Sequence, residues 1–329
     1  MIVKHKNGNY THMSYDEIVD IADLDCIYLS YDEPQKEEFW LKIRNMVPYA
    51  KRVDGVKGSD AAHKAAAEAS DTERFVLIDG DNMPEESFFN IQLDFTNGPS
   101  NAHLAQFRWK AVNNINGLRY GNGGMSSWTK TYVMGMKTHE TSDGSAHTQV
   151  DFCMDGDKDN LYWHMYDCYS TTYPNYTPFQ AWRAGFREGV KMSLERGQRP
   201  TVDEFKERAP RRNLNHLTIW HNIGTDVDNG IWAIAGARLG TYMTVVEEWN
   251  HTEVMWFDNF PTLFAKYQND DPYTLADDIG KILKDKLDLP ICTYAPDQSK
   301  LFKRHYNADK YNLGPLVKEI DVIRKIEGW

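Results

Sequence analysis

Phe75-Val-Leu-Ile-Asp-Gly-Asp-Asn-Met-Pro84 is an apolar run that stops at two carboxylates separated by a single glycine. Residues 74–78 read as a strand buried on both faces, the habit of parallel sheets. A strand that ends this way sets Asp79 and Asp81 beyond the carboxyl end of the sheet, where open α/β sheets bind ligands. Residues i and i+2 of an extended segment point the same way, so both carboxylates address one site. Gly80 lets a substrate approach the backbone closely. Two adjacent carboxylates repel unless a cation lies between them, and an all-oxygen site suits Mg2+ or Mn2+. We therefore expect Asp79 and Asp81 to hold a divalent ion against a phosphorylated substrate, with Asp81 as the direct ligand. The competing expectation is a solvated acidic turn.

Upstream of this run, strands and helices alternate as in a parallel sheet. Residues 26–31 form a first strand. Residues 36–46 place Phe39, Trp40, Ile43 and Met46 on one helical face. Residues 50–55 read as a short second strand, and Asp60 as the N-cap of an Ala-rich helix over 61–70. Downstream, 88–108 and 148–153 alternate like strands, with a Gly-rich turn over 117–124 between them. Residues 178–195 read as an amphipathic helix with Trp182, Phe186, Val190 and Leu194 in register, stopped by Gly197. A small-residue stretch covers 223–240. From about residue 251 the pattern is mainly helical. The expected organisation is a catalytic domain over 1–250 with a C-terminal extension over 251–329 packed on it.

The bulk numbers narrow the class. With 329 residues, 41% hydrophobic and 26% charged, the chain has the balance of an ordinary globular protein. It contains no apolar run near the roughly 20 residues a membrane span needs. The polar N-terminus lacks a signal peptide's apolar stretch. Four scattered cysteines (Cys26, Cys153, Cys168, Cys292) fit a reducing cytoplasm, the expected location. The net charge of −11 argues against a broadly basic nucleic-acid surface. Residues 182–212 nonetheless hold nine Lys/Arg and five Asp/Glu, a local excess compatible with a phosphate-rich acceptor or with a solvated, mixed-charge surface. No obligatory protein partner is implied.

Asp155-Gly-Asp-Lys-Asp-Asn160 imitates the start of an EF-hand. Asn160 stands where glycine belongs and Tyr166 where the bidentate glutamate belongs, so a polar turn is the better reading.

Three families end a strand in Asp-x-Asp. Metal-dependent phosphatases with a nucleophilic first Asp carry it on their first strand, with Thr or Val where this chain has Met83. Small metal-dependent nucleases with an IDGDN-like strand match locally, but also begin with it and need later acidic motifs. The GT-A class of nucleotide-sugar glycosyltransferases places it after a first nucleotide-binding βαβα unit, which is the order found here. Gly117-Leu-Arg-Tyr-Gly-Asn-Gly-Gly-Met-Ser-Ser-Trp-Thr-Lys130 resembles the GT-A segment whose backbone contacts donor sugar or diphosphate. Trp220-His-Asn-Ile-Gly-Thr-Asp-Val-Asp-Asn-Gly230 resembles the segment that holds the catalytic base of inverting members. Together with FVLIDGDNMP, these segments resemble GT-A-like proteins of large tailed bacteriophages, which add sugars to hydroxylated cytosine in phage DNA. The resemblance covers roughly residues 24–240.

That resemblance implies a GT-A-like α/β fold with a mainly helical C-terminal extension, and a UDP-sugar donor with Mn2+ or Mg2+. Double-stranded DNA is then the acceptor. It implies donor contacts from Leu29, Ser30, Tyr31, Asp32, Asp54, Lys57, Asp79, Gly123, Gly124 and Lys303. His305 is the late metal ligand, in competition with His216, His221 and His251. Asp226, then Asp228, is the catalytic base; the plainer reading makes either one a helix cap. The other expectations are an envelope-glycan or protein acceptor, a nuclease, or a non-catalytic sugar-nucleotide or nucleic-acid binder.

Overall fold

Arg74–Asp79 forms a six-residue strand with all but its last residue buried. Its alternate side chains serve two cores. Val76 and Ile78 join one apolar cluster with Cys26, Tyr28, Phe39 and Ile43, while Phe75 and Leu77 join another with Ile27, Ala66 and Trp128. Apolar side chains on both faces are why the run shows no polar alternation. The computed structural model describes residues 2–4, 10–12, 18–96, 102–138, 140, 162–195 and 197–306.

In chain order, the first unit contains strands β1 (Ile2–Lys4), β2 (Tyr10–His12), β3 (Ile18–Asp20), β4 (Asp25–Ser30), β5 (Lys51–Asp54), β6 (Arg74–Asp79), β7 (Asn82–Pro84), β8 (Gln92–Asp94), β9 (Gln106–Asn113), β10 (Arg119–Thr129) and β11 (Tyr162–Thr172). Helices α1 (Lys36–Met46), α2 (Ser59–Ala69) and α3 (Lys130–Gly135) lie between them. The main sheet runs β5-β4-β6-β10-β9-β11-β7. Strand β4 is parallel to β5 and β6, whereas β10 is antiparallel to both β6 and β9. The result is a mixed sheet with a parallel βαβαβ start. Two small antiparallel ribbons, β1-β2 and β3-β8, stand apart from it.

Helix α1 buries Phe39 and Ile43 as its periodicity predicts, with Trp40 and Met46 packed at the margin of the same cluster. Two expectations fail. The Gly-rich run 117–124 is not one turn: only residues 114–118 lie between β9 and β10, and residues 119–124 belong to β10. The register slips between Tyr120 and Met125, and Gly124 adopts φ +74. An interruption of the β9-β10 ladder accounts for glycines in a strand, since Gly124 there takes a left-handed conformation. Asp60 is not the cap of α2 either. The N-cap is Gly58, and the Glu140 carboxylate accepts from Ser59 N at 3.0 Å and Asp60 N at 2.9 Å. Asp60 is buried and accepts from Lys64 and from Thr138 N. Replacing Glu140 by alanine leaves those two N–H groups unpaired and should cost about 1–2 kcal/mol, read by urea denaturation.

Residues 113–118 and the chain from Pro174 onward form the second unit. The expected boundary near residue 250 thus lies inside a compact unit. It consists of α4 (Pro178–Met192), α5 (Phe205–Arg208), α6 (Arg211–Asn222), α7 (Gly230–Val245), α8 (Asn259–Phe264), α9 (Pro272–Leu287) and α10 (Pro296–His305). Thr177 caps α4 by accepting from Gln180 N, and the helix stops at Met192, short of Gly197. Fifteen of the residues of α7 are buried, so it is the unit's central helix. It meets α4 through glycines: a β-carbon on Gly185, Gly189, Gly236 or Gly240 would overlap a backbone carbonyl oxygen of the facing helix. Among the described residues, no helix is long and apolar enough to cross a membrane. The imitation EF-hand and the expected strand over 148–153 lie outside the described residues.

Candidate functional site

Asp79 closes β6 and Asp81 precedes β7, so the Asp-Gly-Asp run is a corner between two strands. It is pinned on both sides. The buried Tyr28 hydroxyl donates to Gly80 O at 2.8 Å, and Tyr173 N donates to Asp81 O at 2.8 Å, extending the β7-β11 pairing by one bond. Neither bond uses a carboxylate. Tyr28 itself lies parallel to Trp40 at 6.1 Å between ring centres, which holds its hydroxyl in place. Burial pushes that phenol far above its ordinary range, so it remains a hydrogen-bond donor.

A third carboxylate meets the corner. Glu33 accepts from Tyr31 N at 2.7 Å, and a β-carbon on Gly80 would come within 2.5 Å of its carboxyl carbon. Any larger residue at position 80 would displace the Glu33 carboxylate. Burial raises the Glu33 carboxyl above its ordinary range, the backbone N–H groups of Tyr31 and Glu33 oppose that, and the charges of Asp81 and Asp32 add to it. Burial also pushes the Asp79 carboxyl up to about 7; Asp81 adds to the shift, Arg108 opposes it, and Glu33 contributes least. Arg108, buried on β9, lies over the Trp128 ring at 4.3 Å. The corner is acidic and partly dehydrated, and Arg108 offsets its negative charge only in part. Among the described residues, no three His, Cys, Asp or Glu side chains stand together as a ready-made metal site. Asp79 and Asp81 thus suit a cation that takes its remaining oxygens from substrate and water, as Mg2+ commonly does.

The sequence-derived donor residues divide into groups. Leu29 is in register with Asp79 across the β4-β6 pair, and Tyr31 and Asp32 are exposed just beyond β4. Ser30 is buried and donates to Asp54 Oδ1 at 2.7 Å, while Lys36 and Arg52 also bind that carboxylate. Burial raises Asp54, but Ser30, Lys36 and Arg52 outweigh it and hold the carboxyl below its usual range. Ser30 and Asp54 are therefore tied to each other. Lys57 is exposed in the loop before α2. Gly123 lies in β10, and a β-carbon on its neighbour Gly124 would meet Asn82 Nδ2 at 2.6 Å, so this part of β10 packs against the residue following Asp81. Sequence pattern flags none of Tyr28, Glu33 or Arg108: Tyr28 and Arg108 sit inside strands and read as core, and Glu33 reads as loop.

In the second unit, Asp226 occupies a tight loop ahead of α7. Gly224 adopts φ +147, and a β-carbon there would strike Ile115 at 2.7 Å. Thr225 donates to Tyr294 O, and Asn175 and Asn229 tie the loop's far end to residue 175. Neither acid caps α7, whose N-cap is Asn229 without a side-chain cap bond. Asp228 is exposed, and its backbone carbonyl accepts from Asn175. Asp226 Oδ2 meets Lys303 Nζ at 2.7 Å, and the same ammonium donates to Asn114 O and Ile115 O. Asp226 Oδ1 is buried and has no hydrogen-bond partner among the described residues. The fold thus brings together Asp226 and Lys303, which lie far apart in sequence. His305 is exposed at the end of α10. His216 and His221 are buried and pushed down to about 3, by burial first and then by Arg212 and Lys191 or by Arg238, so they serve the core as neutral rings. His251 is lowered mainly by burial and contacts Gly197 O.

No protein-family model matches this chain, and no curated protein matches it. Among solved structures, the crystal structure of a glycosyltransferase involved in the glycosylation of the major capsid of PBCV-1 is similar over 47% of this chain and 94% of that chain, at 10% identity and a TM-score of 0.27. A likeness of that size carries no argument about fold or chemistry.

Proposed function

We propose that this protein is a metal-dependent glycosyltransferase of the GT-A type. It moves a sugar from a UDP-linked donor to a hydroxyl acceptor, a modified cytosine in phage DNA. The observation that carries the reading is the place of Asp79-Gly80-Asp81. The corner ends the third strand of the main sheet in chain order, between parallel β4 and antiparallel β10. The phosphatases and nucleases with a similar motif carry it on their first strand.

In this reading Asp79 and Asp81 would hold Mn2+ or Mg2+, which would supply positive charge to offset that of a departing diphosphate. Tyr28 and Tyr173 fix the corner's backbone so that both carboxylates keep one geometry. Gly80 leaves the space in which Glu33 sits. Asp226 Oδ1 takes the acceptor proton as the acceptor oxygen attacks the anomeric carbon. Lys303 engages Oδ2 and thereby fixes which oxygen is presented.

Release of UDP from UDP-sugars in the presence of Mn2+, with no cleavage of DNA, tests the reaction class. Mass spectrometry of hydroxymethylcytosine DNA after incubation tests the acceptor. DNA cleavage instead of UDP release would establish the nuclease. Asp226→Asn should lower transfer by about 100-fold or more through loss of the proton acceptor, and it also weakens the ion pair to Lys303. Unchanged transfer would remove Asp226 from the mechanism.

Metal affinity should depend on pH. Asp79 must lose a proton to act as a ligand, so below about pH 7 Mn2+ binding competes with that proton and weakens by up to about tenfold per unit. Calorimetry in two buffers of different ionisation enthalpy reads the released proton. Affinity that stays constant across this range would exclude Asp79 as a ligand.

A further inference from the structure

Within the second unit, the loop that carries Asp226 is held by α10 and the chain leading into it. Ser299 and Lys303 are four residues apart, so they share one face of that helix. Ser299 Oγ accepts from Gly224 N at 3.4 Å and lies 3.0 Å from Thr225 Oγ1, which donates to Tyr294 O at 2.7 Å. One turn further on, Lys303 meets the next loop residue, Asp226. An ammonium has three N–H groups. Those of Lys303 face Asp226 Oδ2 at 2.7 Å, Ile115 O at 3.1 Å and Asn114 O at 3.3 Å, so all three are engaged. Its stem is engaged too, since a β-carbon on Gly117 would meet Lys303 Cγ at 3.1 Å. Asn114 extends the network by donating to Asn175 Oδ1 at 3.1 Å, and Asn175 donates to Asp228 O at 2.9 Å. Ahead of α10, Asn222 donates to Pro290 O at 2.8 Å and accepts from Cys292 N at 2.7 Å. Residues 290–303 thus follow residues 222–226 in the same order.

We infer that α10 is a clamp on this loop, with Ser299 and Lys303 as positioning residues for Asp226, and that Lys303 has no N–H left for a diphosphate. Of the ten residues of α10 only Ser299 is buried, so polar contacts carry much of the helix's attachment. The Asp226 side chain is only 10% exposed, and its Oδ1 is buried with no hydrogen-bond partner among the described residues. Without Lys303 it would be a nearly buried charge lacking a cation, and the loop would have to move to hydrate it. With Lys303 in place, Oδ2 is held and Oδ1 keeps one direction. Asp226 as proton acceptor belongs to the function proposed above, whereas the clamp stands without it.

Lys303→Met tests the clamp, because it keeps a stem against Gly117 and removes only the ammonium. Amide exchange across residues 223–229 should accelerate by about tenfold or more, while the central turns of α7 exchange as in the parent and show that the unit is folded. The kcat for sugar transfer should fall by roughly 10- to 100-fold, with donor KM and the affinity for UDP in Mn2+ unchanged within about twofold. In Lys303→Ala, added propylammonium replaces the deleted atoms and should restore transfer in a saturable way, as a general loss of packing would not allow. Unchanged loop exchange in the folded Lys303→Met variant overturns the inference. So does UDP affinity weakened by about tenfold with kcat intact, which would make Lys303 a diphosphate contact. If the parent releases no UDP from any donor, the transferase reading fails, and the exchange measurement alone decides the clamp.

Discussion

Asp81→Asn lowers UDP release by about a thousandfold at saturating Mn2+ while the protein stays folded. The two effects separate because residue 81 contributes to the fold through its backbone. Its carbonyl accepts from Tyr173 N at 2.8 Å, a bond asparagine keeps. In the proposed site its side chain would supply an anionic oxygen to the cation, and it places a negative charge beside Asp79 and Glu33. Asparagine removes that charge with little change of shape, and it also relieves the upward push on Asp79 and Glu33.

Asp79→Asn gives a second readout that does not depend on turnover. In the metal-free protein the Asp79 carboxyl is raised to about 7 from an ordinary 3.8, so between those values the folded state holds a proton that the unfolded chain has released. Stability then falls as pH rises through that window, and a bound cation restores it. Melting in EDTA at about pH 5 and pH 8 should show a drop for the parent that is smaller for Asp79→Asn. Equal drops, together with turnover by Asp81→Asn within tenfold of the parent, would return the corner to a solvated acidic turn.

The parts of this molecule that sequence makes legible are the ones whose signal is local. The run 74–79 announces a doubly buried strand because every one of its central side chains is apolar, and the two acids mark its end. The face of α1 is equally local, repeating at helical spacing. Tyr28 shows the limit. In sequence it is one more apolar residue of β4, and only the parallel register with β6 brings its hydroxyl to Gly80. The cap of α2 fails for the same reason: the helix starts at Ser59, ahead of Asp60, and a carboxylate 80 residues later than Asp60 binds its first N–H groups. Glycines are ambiguous in kind. Those at 121–124 read as a turn, yet an interruption of the ladder between two partner strands asks for the same residue.

The glycines of α7 were read as part of a small-residue stretch, and their meaning depends on α4. Gly185 and Gly189 on α4 face Ala233 and Ala237, and Gly236 and Gly240 on α7 face Trp182 and Phe186, each backbone to backbone. Gly185→Ala and Gly236→Ala should each destabilise the second unit by about 2–3 kcal/mol. The new methyl group forces the helices apart and opens gaps around Trp182 and Phe186, which are fully buried and stacked at 4.8 Å. The gain in helix propensity, about 1 kcal/mol, offsets part of this. Against a total stability of about 5–15 kcal/mol, either change is large. The double variant distinguishes helix separation from two local clashes. A single outward shift of α7 relieves both methyl groups, so the second substitution should cost less than the first and the pair should fall short of the sum. Denaturant titrations of the four proteins give the cycle. Strict additivity would mean that each alanine is accommodated locally, and that the close approach of α4 and α7 does not act as one contact.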